Sequence, residues 1–290
     1  MSRIAHWLAI VEPRQSWLAL APQYRDDLAR CGIVGISVRA GRPGWVDCAA
    51  DAHNRGLRVH IEAWCSEQDG IPGVTAADGA LMGQRFARWM DEARADGIPV
   101  EAARVNAEAE VWRGVAGKGN PDAVAYLDAL ADEYHAAEVG ALQYLGFASP
   151  GWHYPGAVIP AHHRSRYQDL PSAPRLWAMA YQSDEDAIRK TLARAQRSWP
   201  GVALGAYAGV GRIDGRGRVV GSELAWRAIC AEPPDGLEAV TWYVGLDQAG
   251  GGLSNPRNPS SMLMQGHSRH APLVRLIADL TAPGRGPAEG

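Results

Sequence analysis

The chain is poor in several things that would have named a function at once. Its 29 Lys and Arg against 32 Asp and Glu leave a net charge of −3. Without a basic surplus there is no electrostatic footprint for a phosphate backbone, so nucleic acid is excluded as the expected partner. No window approaches the ~18 uninterrupted apolar residues of a membrane helix, and no membrane span is expected. The four cysteines, Cys31, Cys48, Cys65 and Cys230, form no CxxC pair and sit among apolar segments, so buried free thiols are expected rather than a metal or redox motif. The Gly-x-Ser-x-Gly of a serine nucleophile elbow is missing. Gly117-Lys118-Gly119 lacks the spacing and the Ser/Thr of a phosphate loop. His153, His162 and His163 have no third ligand at helical or strand spacing, so neither a metal nor another cofactor is expected.

Phenylalanine is also scarce. With 2 Phe against 11 Trp and 9 Tyr, the aromatic surface is of the kind that has a flat apolar face and a polar tip. Such rings suit sugar faces and interfaces, although most in any protein are core.

What is present is an alternation of apolar strand-like runs with amphipathic helical stretches. The strand-like runs are Ile4 to Val11, Gly32 to Arg39, Leu57 to Trp64, Arg104 to Trp112, Leu142 to Phe147, Arg175 to Tyr181, Val202 to Tyr207 and Ala239 to Val244. Helical patterns stand between them, among them Ala76 to Ala95 and a stretch opened by Asn120-Pro121-Asp122, a good helix start. A further helix is expected from Ser183, with Ser183 as its cap. Ile213 to Val219 reads as a tight hairpin or loop excursion. Eight strands with intervening helices predict an α/β protein: a single (β/α)8 TIM-type barrel over residues 1–281, with 282–290 as a disordered tail. The rival, an open doubly wound sheet, needs a glycine-rich turn after the first strand, where Glu12-Pro13-Arg14-Gln15 stands instead.

The segment Arg104-Val105-Asn106-Ala107-Glu108-Ala109-Glu110-Val111-Trp112 carries the strongest chemical signal. Side chains alternate along a strand, so Asn106, Glu108 and Glu110 would share one face. Buried carboxylates are costly unless paired or put to work. In a barrel the active site lies at the C-terminal strand ends, where the sequence also places Arg39, Glu62, Trp64, Tyr144, Trp177, Tyr181, Trp242 and Asp247. Glycoside hydrolysis needs such a mixture: one carboxylic acid to protonate the leaving oxygen, and a second group as nucleophile, base or charge stabiliser. Glu108 is the candidate acid, Asn106 or Glu110 its partner, and the others candidate carbohydrate contacts. The alternative is that Glu62, Glu108 and Glu110 pair structurally with Arg39, Arg58 or Arg113.

Val105-Asn106-Ala107-Glu108 resembles the apolar-Asp-x-Glu signature of glycoside hydrolase family 25, the lysozyme-type muramidases. Leu176-Trp177-Ala178-Met179-Ala180-Tyr181 is similar to that family's strand-six Leu-Trp-x-Ala-x-Tyr, and His6-Trp7 is similar to its first strand. The resemblance implies a barrel with a long groove for bacterial cell-wall glycan and Glu108 as proton donor. It also implies a chain made in the cytoplasm without a signal peptide, then released or associated with a virion. The family's Asp is Asn106 here, and its first-strand Asp is missing from Ile4-Ala5-His6. An altered carboxylate fits a substrate-assisted mechanism, or a catalytically silent barrel kept for sugar binding or as a virion-associated structural protein. A barrel lyase or isomerase is the third reading.

Overall fold

Small and large residues alternate on one face of the barrel strands, and this pattern sets the architecture. The computed structural model describes residues 4–64, 75–106, 121–147, 166–182, 184–208, 212–213, 219–220, 222–244 and 271–281. Strands β1 (Ala5–Ile10), β2 (Ile33–Arg39), β3 (Arg58–Trp64), β4 (Val100–Asn106), β5 (Ala141–Phe147), β6 (Leu176–Met179), β7 (Leu204–Ala208) and β10 (Leu237–Val244) form a closed barrel in the order β1-β10-β7-β6-β5-β4-β3-β2. Every neighbouring pair is parallel. The expected (β/α)8 barrel is therefore the fold. A two-residue antiparallel pair, β8 (Arg212–Ile213) and β9 (Val219–Val220), stands where the hairpin excursion was expected.

Helices α1 (Pro22–Arg30), α2 (Trp45–Asn54), α3 (Ala76–Ala95), α4 (Pro121–Ala136), α5 (Glu185–Ser198), α6 (Glu223–Ala231) and α7 (Ala271–Thr281) lie between or after the strands. Their starts follow local chemistry. Thr75 caps α3 in a reciprocal box with Asp78. The cap of α5 is Asp184, one residue later than expected, and its carboxylate accepts from the Ala187 N–H. Helices α3 and α4 touch backbone to backbone because α3 has Gly79 and Gly83 at the crossing. A Cβ added there would stand 2.1 Å from the Tyr126 carbonyl oxygen and 2.4 Å from that of Leu130.

The main apolar core lies between the barrel and its helices, and a second, smaller one fills the barrel. The inner face carries Ala5, Trp7 and Ala9 from β1, Trp177 from β6, Tyr207 from β7 and Ala239 from β10. Two glycines make room for the tryptophans: a Cβ on Gly35 would meet the Trp7 ring at 2.5 Å, and one on Gly205 the Trp177 ring at 2.2 Å. Small residues opposite large ones are how a tapering barrel interior is filled.

The N-terminal end of the barrel is covered by the segment leading into β6. Leu170 and Ala173 bridge across a turn that holds Ser172 at φ 58. Trp7 Nε1 donates to the Ser172 carbonyl at 2.8 Å and Gln143 Nε2 to that of Ala173 at 2.9 Å. Arg58 donates to the Pro171 carbonyl. These bonds tie the turn to three barrel strands, and the Ala173 carbonyl also accepts from the Leu170 N–H at 3.0 Å.

Candidate active site

The interior is more polar than a scaffold requires. Ser37, His60, Glu62, Arg104, Gln143 and Thr241 are all buried, and Arg104, His60, Gln143 and Thr241 are wholly sealed from solvent. Strand alternation places them together. Glu62 and Arg104 are backbone partners across β3 and β4, as are Ser37 and His60 across β2 and β3.

Arg104 is the centre of the network. Its guanidinium carbon lies 3.9 Å from the centroid of the Trp177 ring and 4.7 Å from that of Trp7. Desolvated contacts of this type are worth ~2 kcal/mol or more. Arg104 Nε donates to His60 Nδ1 at 3.1 Å, and Nη1 donates to the Tyr207 hydroxyl at 3.1 Å and to Thr241 Oγ1 at 3.2 Å. Burial pulls the guanidinium below its ordinary value, while the Tyr207 hydroxyl and the Glu62 carboxylate pull it back up.

Glu62, the backbone partner of Arg104 and two residues from the end of β3, is 3% exposed. Its Oε2 accepts from the Tyr207 hydroxyl at 2.5 Å and from Ser37 Oγ at 3.1 Å. Burial, and then the charge of Glu62, push the Tyr207 phenol well above the ordinary tyrosine value, so it stays a proton donor.

Toward the closed end lies a second charge pair. Arg58 holds Glu101 through both Nε and Nη2, with Nε 2.8 Å from Oε2. The His60 ring and the Arg58 fork together hold the Glu101 carboxyl down to about 2, against a burial that raises it. His60 Nε2 is 3.7 Å from Glu101, longer than a hydrogen bond, which leaves the Arg58 fork as the direct partner. His60 itself is pushed down to about 3, first by burial and then by the Arg104 charge. It is a neutral ring whose Nδ1 accepts.

The expected site residues divide three ways. Glu62 and Trp177 belong to this network, and Tyr181 packs half-buried beside the inner cluster. Arg39 ends β2 as the backbone partner of Glu62, and it is buried. Asn106 and Trp64 are backbone partners at the ends of β4 and β3. Tyr144 and Trp242 lie on the opposite face. Tyr144 stacks on Trp199 at 5.9 Å, and Trp242 meets Trp226 at 6.0 Å. Both belong to the layer between strands and helices, because the inward positions of their strands fall to Gln143 and Thr241. Glu108, Glu110 and Asp247 lie outside the described residues.

Sequence reasoning missed Arg104, Thr241, Glu101 and the inward role of Trp7. The signal for Arg104 was present: it stands two residues before Asn106, and hence at the same strand parity. Among the described residues no group of three or more His, Cys, Asp or Glu stands close enough to hold a metal ion. No helix among them is long and apolar enough to cross a membrane. Cys31, Cys48 and Cys230 are free thiols, and burial raises Cys31 and Cys230 to about 12.

No protein-family model matches the sequence, glycoside hydrolase family 25 included, and no curated protein does. Solved structures do match by shape. A GH18 chitinase from Pseudoalteromonas aurantia aligns with a TM-score of 0.54 at 10% identity, over 82% of this chain and 93% of that one. Tryptophan synthase from M. tuberculosis, in an aminoacrylate- and BRD0059-bound form, aligns with a TM-score of 0.53 at 13% identity, over 98% and 94%. A D-psicose 3-epimerase in the presence of D-fructose aligns with a TM-score of 0.50 at 14% identity, over 96% of each chain. At these identities the likeness is one of fold: the same barrel frame carries three different chemistries.

Proposed function

We propose that the chain is a glycoside hydrolase of the lysozyme-like type, acting on a polysaccharide or cell-wall glycan at the C-terminal mouth of the barrel. Glu108 is its general acid, and Asn106 or Glu110 the partner. The reading is carried by one observation: a carboxylate, Glu62, is held near the mouth by two hydroxyl donors, on the strand next to β4. From the end of β4 at Asn106 the chain reaches Glu108 after two residues and Glu110 after four. A barrel that spends a buried carboxylate beside such a segment supplies the two acidic groups that glycosidic cleavage requires. The frame shared with a GH18 chitinase is consistent with that chemistry.

A second reading has its own observation. Glu62 is nearly sealed and linked through Tyr207 to the buried Arg104, as in a network kept for structure. The chain would then be a catalytically silent glycosidase-like barrel that binds sugar or serves as a virion-associated structural protein.

Purified peptidoglycan and chitooligosaccharides separate the two. The hydrolase releases new reducing ends, and Glu108→Gln abolishes them. Retained binding without any cleavage selects the silent barrel, and unchanged cleavage by Glu108→Gln removes Glu108 from the mechanism.

A further inference from the structure

We propose that the turn over residues 169–174 is a proton-sensitive strap: it closes the base of the barrel over His60, a ring that cannot take a proton while the strap is seated, and it opens as His60 is protonated. The inference does not depend on what the barrel cleaves or binds.

The strap is held from inside the barrel. Three consecutive carbonyls, those of Pro171, Ser172 and Ala173, accept from Arg58 of β3, Trp7 of β1 and Gln143 of β5. Leu170 and Ala173 close the turn through backbone bonds of 3.0 and 2.9 Å. Ser172 holds φ 58, a conformation that a non-glycine residue keeps only where its surroundings impose it. Pro171 and Ser172 are exposed, so little apolar surface holds the tip of the turn. Segments of that kind open at a lower free energy than the whole domain.

His60 is wholly buried, with its ring centroid 4.3 Å from that of Trp7 on β1. The charged groups that act on it are Arg104 and Glu101 of β4 and Arg58 of its own strand, and its backbone partner on β2 is the uncharged Ser37. Trp7 and Arg58 are the same side chains that hold the Ser172 and Pro171 carbonyls. Geometry sets the tautomer. A guanidinium only donates, so Arg104 Nε, 3.1 Å away, requires an unprotonated Nδ1 and leaves the ring hydrogen on Nε2. That Nε2 is buried without a hydrogen-bond partner, 3.7 Å from Glu101.

A second proton could go only to Nδ1. There it would face the Arg104 N–H and add a buried cation beside Arg104 and Arg58. The Glu101 carboxylate would favour it, but Arg58 already holds Glu101 through two nitrogens. Burial and then the Arg104 charge accordingly push the ring down to about 3. Once the strap releases Trp7 and Arg58, water reaches the ring and its ordinary value of 6.5 returns. Between those two values the open form binds a proton that the closed form excludes, so the open share rises about tenfold per pH unit of acidification. His135, the other histidine at this segment, donates from Nε2 to the Arg166 carbonyl in either protonation state, so its charging does not cost that bond. Asp169 pairs with Arg175 inside the segment, and Arg166 with Asp128 and Asp132 of α4.

The test is amide hydrogen exchange of the full chain, followed by NMR and expressed as protection relative to the intrinsic rate at each pH. The Leu170 and Ala173 amides, which bond across the turn, should lose protection roughly 30-fold between about pH 7.5 and about pH 5. They should also be less protected than the amides of β1 and β7 at every pH, as a local opening requires. His60→Asn keeps an acceptor near the Nδ1 position but cannot be protonated there, and its strap protection should be the same at both ends of the range. Three results each overturn the proposal: parent protection that does not change with pH, a pH dependence that survives His60→Asn, or strap amides as protected as those of β1 and β7. If His60→Asn does not fold, His135→Gln decides. The pH dependence persists in that variant when His60 is the sensor, and its loss there assigns the sensor to His135 and overturns the proposal.

Discussion

Replacing Arg104 by Met asks what a buried cation contributes to this barrel. Arg104 is wholly buried and donates three hydrogen bonds, its Nη2 is left without a partner, and its guanidinium carbon lies 3.9 Å and 4.7 Å from the centroids of two indoles set edge to face. Hydrogen bonds to charged groups are worth about 1.5–3 kcal/mol each, but drying a guanidinium costs several kcal/mol, so those two contributions largely offset each other. The remainder decides the sign. Met fills most of the stem volume but removes the Arg104 charge that Tyr207 bridges to the Glu62 carboxylate. Removing one partner of a buried charge network costs about 3–5 kcal/mol. At ~2–4 °C per kcal/mol for a chain of this size, the melting temperature should fall by about 10 °C. Arg104→Lys should also be destabilised, since an ammonium can neither lie flat against an indole nor donate along three fixed directions. Adding Glu62→Gln to Arg104→Met should recover part of the loss. Thermal and urea unfolding of the four proteins measures all of this. An Arg104→Met protein as stable as its parent would refute the reasoning and show that the cation is a net cost.

Two further predictions concern packing and pH. Gly83→Ala places a methyl group 2.4 Å from the Leu130 carbonyl oxygen and should cost about 1–3 kcal/mol by forcing α3 and α4 apart, read as a lower urea midpoint with unchanged slope. His60 should resist protonation in the folded chain, and imidazole NMR should show it neutral down to about pH 4; a His60 that titrates near 6.5 would contradict the buried Arg104 contact. Because its folded value lies below the unfolded one, its stabilisation is complete above pH 6.5 and is lost as the pH falls toward 3. Glu101, depressed from 4.5 to about 2, acts in the same direction over the lower part of that window, with a smaller effect because its carboxylate is a third exposed.

The barrel was legible because strand and helix periods alternate cleanly from β1 to β10, and the missing glycine turn after β1 excluded the rival sheet. Strand β4 was harder. It begins at Val100, four residues before the expected start; Glu101, Ala102 and Ala103 lack the β-branched and aromatic content by which strands are recognised, so this part was missed, and the register with β3 shifts there. That late start put Arg104 at the edge of the strand rather than in its middle. Tyr144 and Trp242 were read as candidate sugar contacts, yet one residue of parity separates Gln143, inside the barrel, from Tyr144 against the helices. The acidic signature at 106–110 was read from spacing alone, and its Glu108 and Glu110 lie outside the described residues. The network that ties Glu62 to Ser37, Tyr207 and Arg104 joins four strands, and only the closed order of the barrel brings them together.

The general-acid role of Glu108 is tested most directly by the leaving group. An unactivated oligosaccharide needs its departing oxygen protonated, whereas an aryl glycoside with an acidic phenol does not. Glu108→Gln should lose at least roughly 100-fold in kcat/KM on the oligosaccharide while keeping most of its rate on the dinitrophenyl glycoside. Equal losses on both substrates, or no loss on either, would contradict an acid at position 108.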